Sequence, residues 1–424
     1  MQKKWKVVLL IGIILLSTIV SAALYIFIVD IDISYDPYSE YANEVVDERG
    51  ILMGYEFIKT IEANDINDLF PEIDENEGDI SDLPEYDIDL YRINYTSVFL
   101  YEIVNLSGLI VVPKKNSTLS HIQYHHGTMR PYPYENGEGS KDAPSLYEGE
   151  KPEEEYAQYE SRLFGNYLGS YGYLVSLPDY IGHGVSDSYE HSYSVNDRLA
   201  EQSVDMILAT REFCDERNIT LKDELFLCGW SEGGAACLAT QKLIESEYKD
   251  DIEVTANAPL AGFFALEFYS KLLINLAPLM PTDWGEDLDV LLWALSSINQ
   301  FTDDKPLDNS DIFKFEVEDQ RDVLKKRPTS IPSEAIRCCI KDRDKLISKF
   351  AQNDLSDNWA PKAPVYIHHG TNDETVPYPF NTEVTVNNLN YQGGDVELVK
   401  YEGHDHYTLD KLYLLNIIEE FDQY

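Results

Sequence analysis

The run Leu225-Phe226-Leu227-Cys228 stops at Gly229-Trp230-Ser231-Glu232-Gly233-Gly234, and an alanine-rich stretch follows at once. Four consecutive apolar residues read as a buried strand, and the alanine-rich stretch over 233–247 reads as a helix. The chain must therefore turn sharply within a few residues. The glycines around Ser231 supply neighbours without Cβ atoms, as a turn wedged between strand and helix requires. Gly-x-Ser-x-Gly in this setting lifts a hydroxyl onto a strained turn at the end of a sheet. The helix start aims unpaired N–H groups and partial positive charge at the same point. An oxyanion formed by attack on a carbonyl would meet the backbone N–H of Glu232.

The surrounding pattern fits such a turn. "DIDLYRINYTSV", "GLIVVPKK" and "HIQYHHGT" read as three strands, and "GYLVSLPDY" as a fourth after a helix at 157–170. A helix at 198–217 precedes "ELFLCGW", and "IEVTANAPLAG" follows the alanine-rich helix. "PVYIHHGTND" and "VELVKYEGHDH" are the last strands, and a helix at 407–421 closes the chain. Strands alternating with helices predict an α/β fold, a mainly parallel central sheet with helices on both faces. Residues 265–358 break the rhythm with stretches such as "DVLLWALSSI" and read as an inserted helical cap.

The 424 residues carry 33 basic against 76 acidic side chains, a net charge of −43. Such a surface repels nucleic acid, which is set aside as a ligand. Lys3, Lys4 and Lys6 precede an uncharged apolar run from Val7 to Val29, long enough to cross a bilayer as a helix. The lysines favour a cytoplasmic N-terminus and an exported body. Residues 1–29 are thus expected to be a membrane anchor or a cleaved signal segment, since Val20-Ser21-Ala22 resembles a cleavage site. The location expected is extracytoplasmic, membrane-anchored or secreted. Residues 30–85, rich in Asp, Glu and Tyr, show only weak helical periodicity and read as a separate acidic segment. The catalytic domain is expected over 86–424.

Partners for Ser231 follow in the chain order serine, acid, histidine. Asp373 in "HHGTNDETVP" falls just beyond a strand end, with Glu374 as the alternative acid. His404 in "YEGHDHY" follows the last strand, with His406 as the alternative, and His404 is preferred for its offset from the strand end. The histidine would take the serine proton and return it to the leaving group, while the acid fixes its tautomer. The second oxyanion donor is expected from His126-Gly127-Thr128, at the N–H of Thr128 or, failing that, of Gly127. The pairs His125-His126 and His368-His369 lie on strands, where successive side chains point to opposite faces, so neither pair makes a two-ligand metal site. No metal is expected.

"YHHGT", "LPDYIGHGVSD", "CGWSEGG", "NAPLAG", "HHGTNDETVP" and "GHDH" together resemble the α/β-hydrolase superfamily, in its branch of secretory lipases and bacterial esterases. The resemblance covers about residues 86–424. It implies a capped esterase or lipase that cleaves carboxylic esters without a cofactor, acting on a small-molecule ester through Ser231, Asp373 and His404. Glu232 departs from the neutral residue the branch commonly carries after its nucleophile. The cap, with acidic interruptions such as "PTDWGEDLDV", favours short-to-medium acyl esters over long-chain triglyceride. A serine peptidase or acyl-aminoacid hydrolase is the rival enzyme, and a non-catalytic surface-anchored binding protein the rival of another class.

Overall fold

The computed structural model describes residues 48–70, 78–130, 142–151, 156–275, 288–303, 305–326, 336–337 and 341–424. The expected anchor at 1–29 lies outside the described residues. Among those residues, no helix is long and apolar enough to cross a membrane.

In chain order the strands are β1 (Leu52–Ile61), β2 (Ile88–Phe99), β3 (Glu102–Pro113), β4 (Leu119–His125), β5 (Leu174–Pro178), β6 (Leu221–Trp230), β7 (Ala256–Leu260), β8 (Val365–Gly370) and β9 (Val396–Tyr401). The helices are α1 (Ala63–Leu69), α2 (Tyr156–Tyr171), α3 (Asn196–Arg217), α4 (Glu232–Leu243), α5 (Leu266–Asn275), α6 (Leu288–Phe301), α7 (Asn309–Ile312), α8 (Gln320–Lys326), α9 (Arg343–Gln352), α10 (Thr382–Tyr391) and α11 (Asp410–Phe421). The strands form one sheet in the order β1-β2-β3-β5-β4-β6-β7-β8-β9. From β5 to β9 every pairing is parallel, while β1, β2 and β3 add an antiparallel flank.

Strand alternation splits the core between the two faces. Phe226 and Cys228 of β6 face a cluster with Phe164 and Tyr167 of α2 and Tyr413 and Leu414 of α11. Leu225 and Leu227 face Val204 and Ile207 of α3, Leu238 of α4 and Leu389 of α10. Burying each such side chain contributes roughly 2 kcal/mol. That packing, more than helix propensity, holds the helices in place. Cys214, Cys228 and Cys237 are buried free thiols within this core.

The expected boundary at residue 86 is corrected by β1. This strand pairs with β2 from Leu52↔Tyr95 to Ile61↔Ile88, so part of the acidic segment belongs to the sheet. Arg49 anchors it, pairing with buried Asp205 of α3 at 2.7 Å. The weak helical periodicity of residues 30–85 gives way, over 48–70, to a strand followed by the short α1. Two register shifts in β1, at Leu52/Gly54 and Phe57/Lys59, spoil the alternation that would have marked a strand. The interval 265–358 does interrupt the sheet with helices, α5 to α9, between β7 and β8.

Candidate active site

β6 delivers Ser231 to the C-terminal edge of the parallel strands, and α4 begins at the next residue. Ser231 has φ 56° and ψ −116°, a conformation that is costly for a residue with a side chain. Its N–H is tied to the Leu260 carbonyl of β7 at 2.9 Å. The flanking glycines are sterically required. A Cβ on Gly229 would lie 2.5 Å from the Gly233 carbonyl, and one on Gly233 would lie 1.9 Å from the His125 carbonyl. Backbone atoms cannot yield that much, so the spacing of the motif is dictated by contact.

The histidine that reaches Ser231 is His406. Its Nε2 lies 3.0 Å from Ser231 Oγ, and its Nδ1–H donates to Asp373 Oδ2 at 2.6 Å. Donation from Nδ1 leaves Nε2 free to accept the serine proton. The preference for His404 is therefore corrected. His404 instead points its Nδ1 at the Thr408 carbonyl, 3.0 Å away within its own loop. The cause is local. Gly403 turns with φ 84°, and the Asp405 carboxylate accepts from Tyr407 N–H and the Thr408 hydroxyl, winding the loop back on itself. The fifth residue after β9 then faces β6, not the third. Trp230 fixes the result by donating its indole N–H to the His406 carbonyl at 3.1 Å.

Asp373, rather than Glu374, meets the histidine. It follows β8, and its Oδ1 accepts the Val376 N–H at 2.7 Å. Oδ2 also receives a second histidine, His369, whose Nε2 is 3.0 Å away. Burial pushes this carboxyl up, but the hydrogen bonds from His369 and His406 outweigh it and hold the group below the ordinary carboxylate range. In the sequence, His369 stands out only as half of the His368-His369 pair. Its neighbour His368 does point away, to Tyr401 and Glu420, as strand alternation requires.

Glu232 is the first residue of α4, so its N–H has no partner within the helix. Thr128 lines the same cavity as Ser231 and Glu232. Gly127, the fallback donor, is corrected: its N–H points to Glu160 Oε2 at 3.3 Å. Its lack of a side chain serves another purpose, since a Cβ there would come within 2.4 Å of the Trp230 ring.

The Glu232 carboxyl has a histidine partner in place. Its Oε1 is 2.9 Å from His191 Nε2, both side chains being buried. His191 Nδ1 lies 2.7 Å from the Ile181 carbonyl, which only accepts, so Nδ1 carries a proton. His191 lies 40 residues before the nucleophile turn, and nothing in the sequence links it to Glu232.

A cavity of about 350 Å³ opens over Ser231 and His406. Phe263, Tyr269, Val290, Leu291 and Ala294 give it an apolar wall, and Arg130, Glu232 and Glu374 also line it. Cap helix α6 reaches the oxyanion side through Trp293, which stacks on Tyr193 at 4.1 Å. The Tyr193 hydroxyl in turn lies 3.1 Å from that of Thr128. Asp179, just past the end of β5, is a buried structural strap, accepting from the Ser107 hydroxyl and the Ser145 N–H.

The architecture is that of an α/β-hydrolase. Residues 154–266, from α2 through the nucleophile turn to the start of the cap, match the family model described as secretory lipase. Solved structures of the same fold include a putative hydrolase from Legionella pneumophila, with a TM-score of 0.69 and 21% identity over 88% of this chain and 97% of the other. A ligand-bound form of the rice cell wall degrading esterase LipA from Xanthomonas oryzae aligns with a TM-score of 0.65 and 19% identity, covering 88% and 96%. Candida antarctica lipase A aligns with a TM-score of 0.62 and 14% identity, covering 88% and 82%. No match was found among curated proteins. The family-model match supports a lipase-like hydrolase, and these neighbours share the fold.

Proposed function

We propose that this chain hydrolyses carboxylic esters through an acyl-enzyme on Ser231. The observation that carries the proposal is the unbroken line Ser231 Oγ, His406 Nε2, His406 Nδ1, Asp373 Oδ2, with contacts of 3.0 and 2.6 Å. His406 takes the hydroxyl proton as Ser231 attacks the ester carbonyl, and Asp373 stabilises the imidazolium that forms. The tetrahedral oxyanion lies at the start of α4, where the N–H groups of Glu232 and Thr128 serve as its donors. His406 then protonates the departing alcohol. Water repeats the sequence to release the acid and restore Ser231.

The apolar wall and modest volume of the cavity favour short-to-medium acyl groups. The apolar run Val7–Val29 behind Lys3, Lys4 and Lys6 supports an extracytoplasmic body, which fractionation and protease accessibility of the full chain would test.

The deciding experiment is labelling of the full chain with a fluorophosphonate, with Ser231→Ala alongside and the labelled peptide mapped. Labelling at Ser231 that is lost in the variant, followed by turnover of p-nitrophenyl esters that peaks at short or medium acyl length, is the expected result. A folded wild type that neither labels nor hydrolyses any ester would overturn the reading and favour a binding role.

A further inference from the structure

Asp373 is gripped by two histidines, and the second has a defined proton arrangement. His369, fully buried at the end of β8, places Nε2 3.0 Å from Asp373 Oδ2 and 2.9 Å from the Val376 carbonyl. Both oxygens can only accept, so Nε2 carries a proton and is shared between them. Nδ1 lies 2.6 Å from the Thr382 hydroxyl, which itself accepts from the Asn381 amide at 3.3 Å. In the neutral imidazole protonated at Nε2, Nδ1 is the acceptor, and that hydroxyl donates to it. Every ring nitrogen is satisfied, and the imidazole has no freedom to turn.

His369 and His406 thus converge on one oxygen of one carboxylate. We propose that His369 is a positioning residue of the triad, whose Nε2–H aims the Asp373 carboxylate at His406 and tempers its pull on the His406 proton. This inference rests on the serine-hydrolase reading above. A donor on Oδ2 disperses the carboxylate's charge. Without it, Asp373 would hold the His406 imidazolium more strongly, and a higher pH would be needed to free Nε2 as a base. The carboxylate would also lose one of the contacts that fix its direction, and small misplacements of a triad are expensive.

The other groups facing this corner are few. The Tyr378 ring lies 5.7 Å from His369, with Lys400 Nζ 5.3 Å from the Tyr378 centroid. Tyr269 of α5 faces Asp373, its hydroxyl pushed up by burial and by that carboxylate's charge. Glu374 follows in the chain. None of the substitutions below changes these groups.

The test is the rate of fluorophosphonate labelling of the full chain against pH, which reports the His406 base without needing a chosen substrate. His369→Leu removes the donor. His369→Gln keeps an N–H near the Nε2 position, whereas His369→Asn places its amide nearer Nδ1. Leu and Asn should slow labelling by about ten- to hundredfold and move the acid limb of the profile up by about half to one pH unit. Gln should restore most of both. Should Leu fail to fold, the contrast between Gln and Asn carries the test. Acid limbs that coincide across folded variants and wild type would reduce His369 to packing and overturn the proposal. Absence of Ser231 labelling in the wild type would instead remove the underlying hydrolase reading.

Discussion

The nucleophile turn and the histidine loop meet at one hydrogen bond, yet they are built by different physics. Around Ser231 the chain is held by exclusion: glycines stand where backbone from β4 and α4 leaves no room for a Cβ. Around His406 the chain is held by attraction, through the Asp405 carboxylate, the Thr408 hydroxyl and the Trp230 indole. Exclusion leaves a mark on residue identity that can be read from sequence. Attraction between side chain and backbone leaves almost none, because many polar residues can close a turn.

The sharpest way to break this contrast is to exchange the two histidines' fates. His406→Ala should lower kcat/KM for a p-nitrophenyl ester by about 10⁴-fold or more, while His404→Ala should stay within about tenfold. Equal losses would mean that the loop rearranges and that the contacts described do not decide the base. Next in size, Gly233→Ala should cost at least about 3 kcal/mol in denaturant unfolding, because the new methyl meets carbonyls that cannot move aside. A near-neutral variant would show that the turn is softer than its contacts imply.

Two buried carboxylates sharpen the comparison through pH. Asp354 accepts from the Glu267 N–H and from Ser356, joining the start of α5 to the chain after α9. Burial pushes its carboxyl up to about 6. An acid raised on folding favours the native state while protonated, so stability should fall as pH rises from about 4 to about 6, by up to roughly 3 kcal/mol. Asp354→Asn should flatten that slope in urea titrations. Asp373 has the opposite sign: depressed on folding, it supports the native state above about pH 4, and that support is lost as pH falls further. Smallest of all, Trp230→Phe should cost about 1 kcal/mol and less than tenfold in kcat/KM, since it removes one hydrogen bond from the His406 carbonyl.

How much was legible follows the same division. The parallel strands were readable because burial on both faces gives β5 and β6 short apolar runs. Ser231 and Asp373 were readable because each sits at a strand end within a tight, small-residue setting. His404 and His406 share the same parity along the chain, so periodicity gave no means of choosing between them. The Glu232–His191 pair and the His369 contact join residues whose neighbourhood exists only after folding. β1 escaped because an edge strand with two register shifts and a largely exposed surface keeps no clean alternation.

That edge strand has a practical consequence for anyone preparing the protein. Starting the chain at residue 86, where the composition changes, would strip away β1 and Arg49 together. The outer N–H and C=O groups of β2 would be left open to pair with a second molecule. Asp205, fully buried on α3, would lose its guanidinium and, among the described residues, keep only the Ser97 hydroxyl as a side-chain donor. The shorter chain would retain every atom of the Ser231 machinery and still be expected to aggregate, whereas a start upstream of Arg49 keeps β2 paired and leaves the twice-bulged β1 as the sheet's edge.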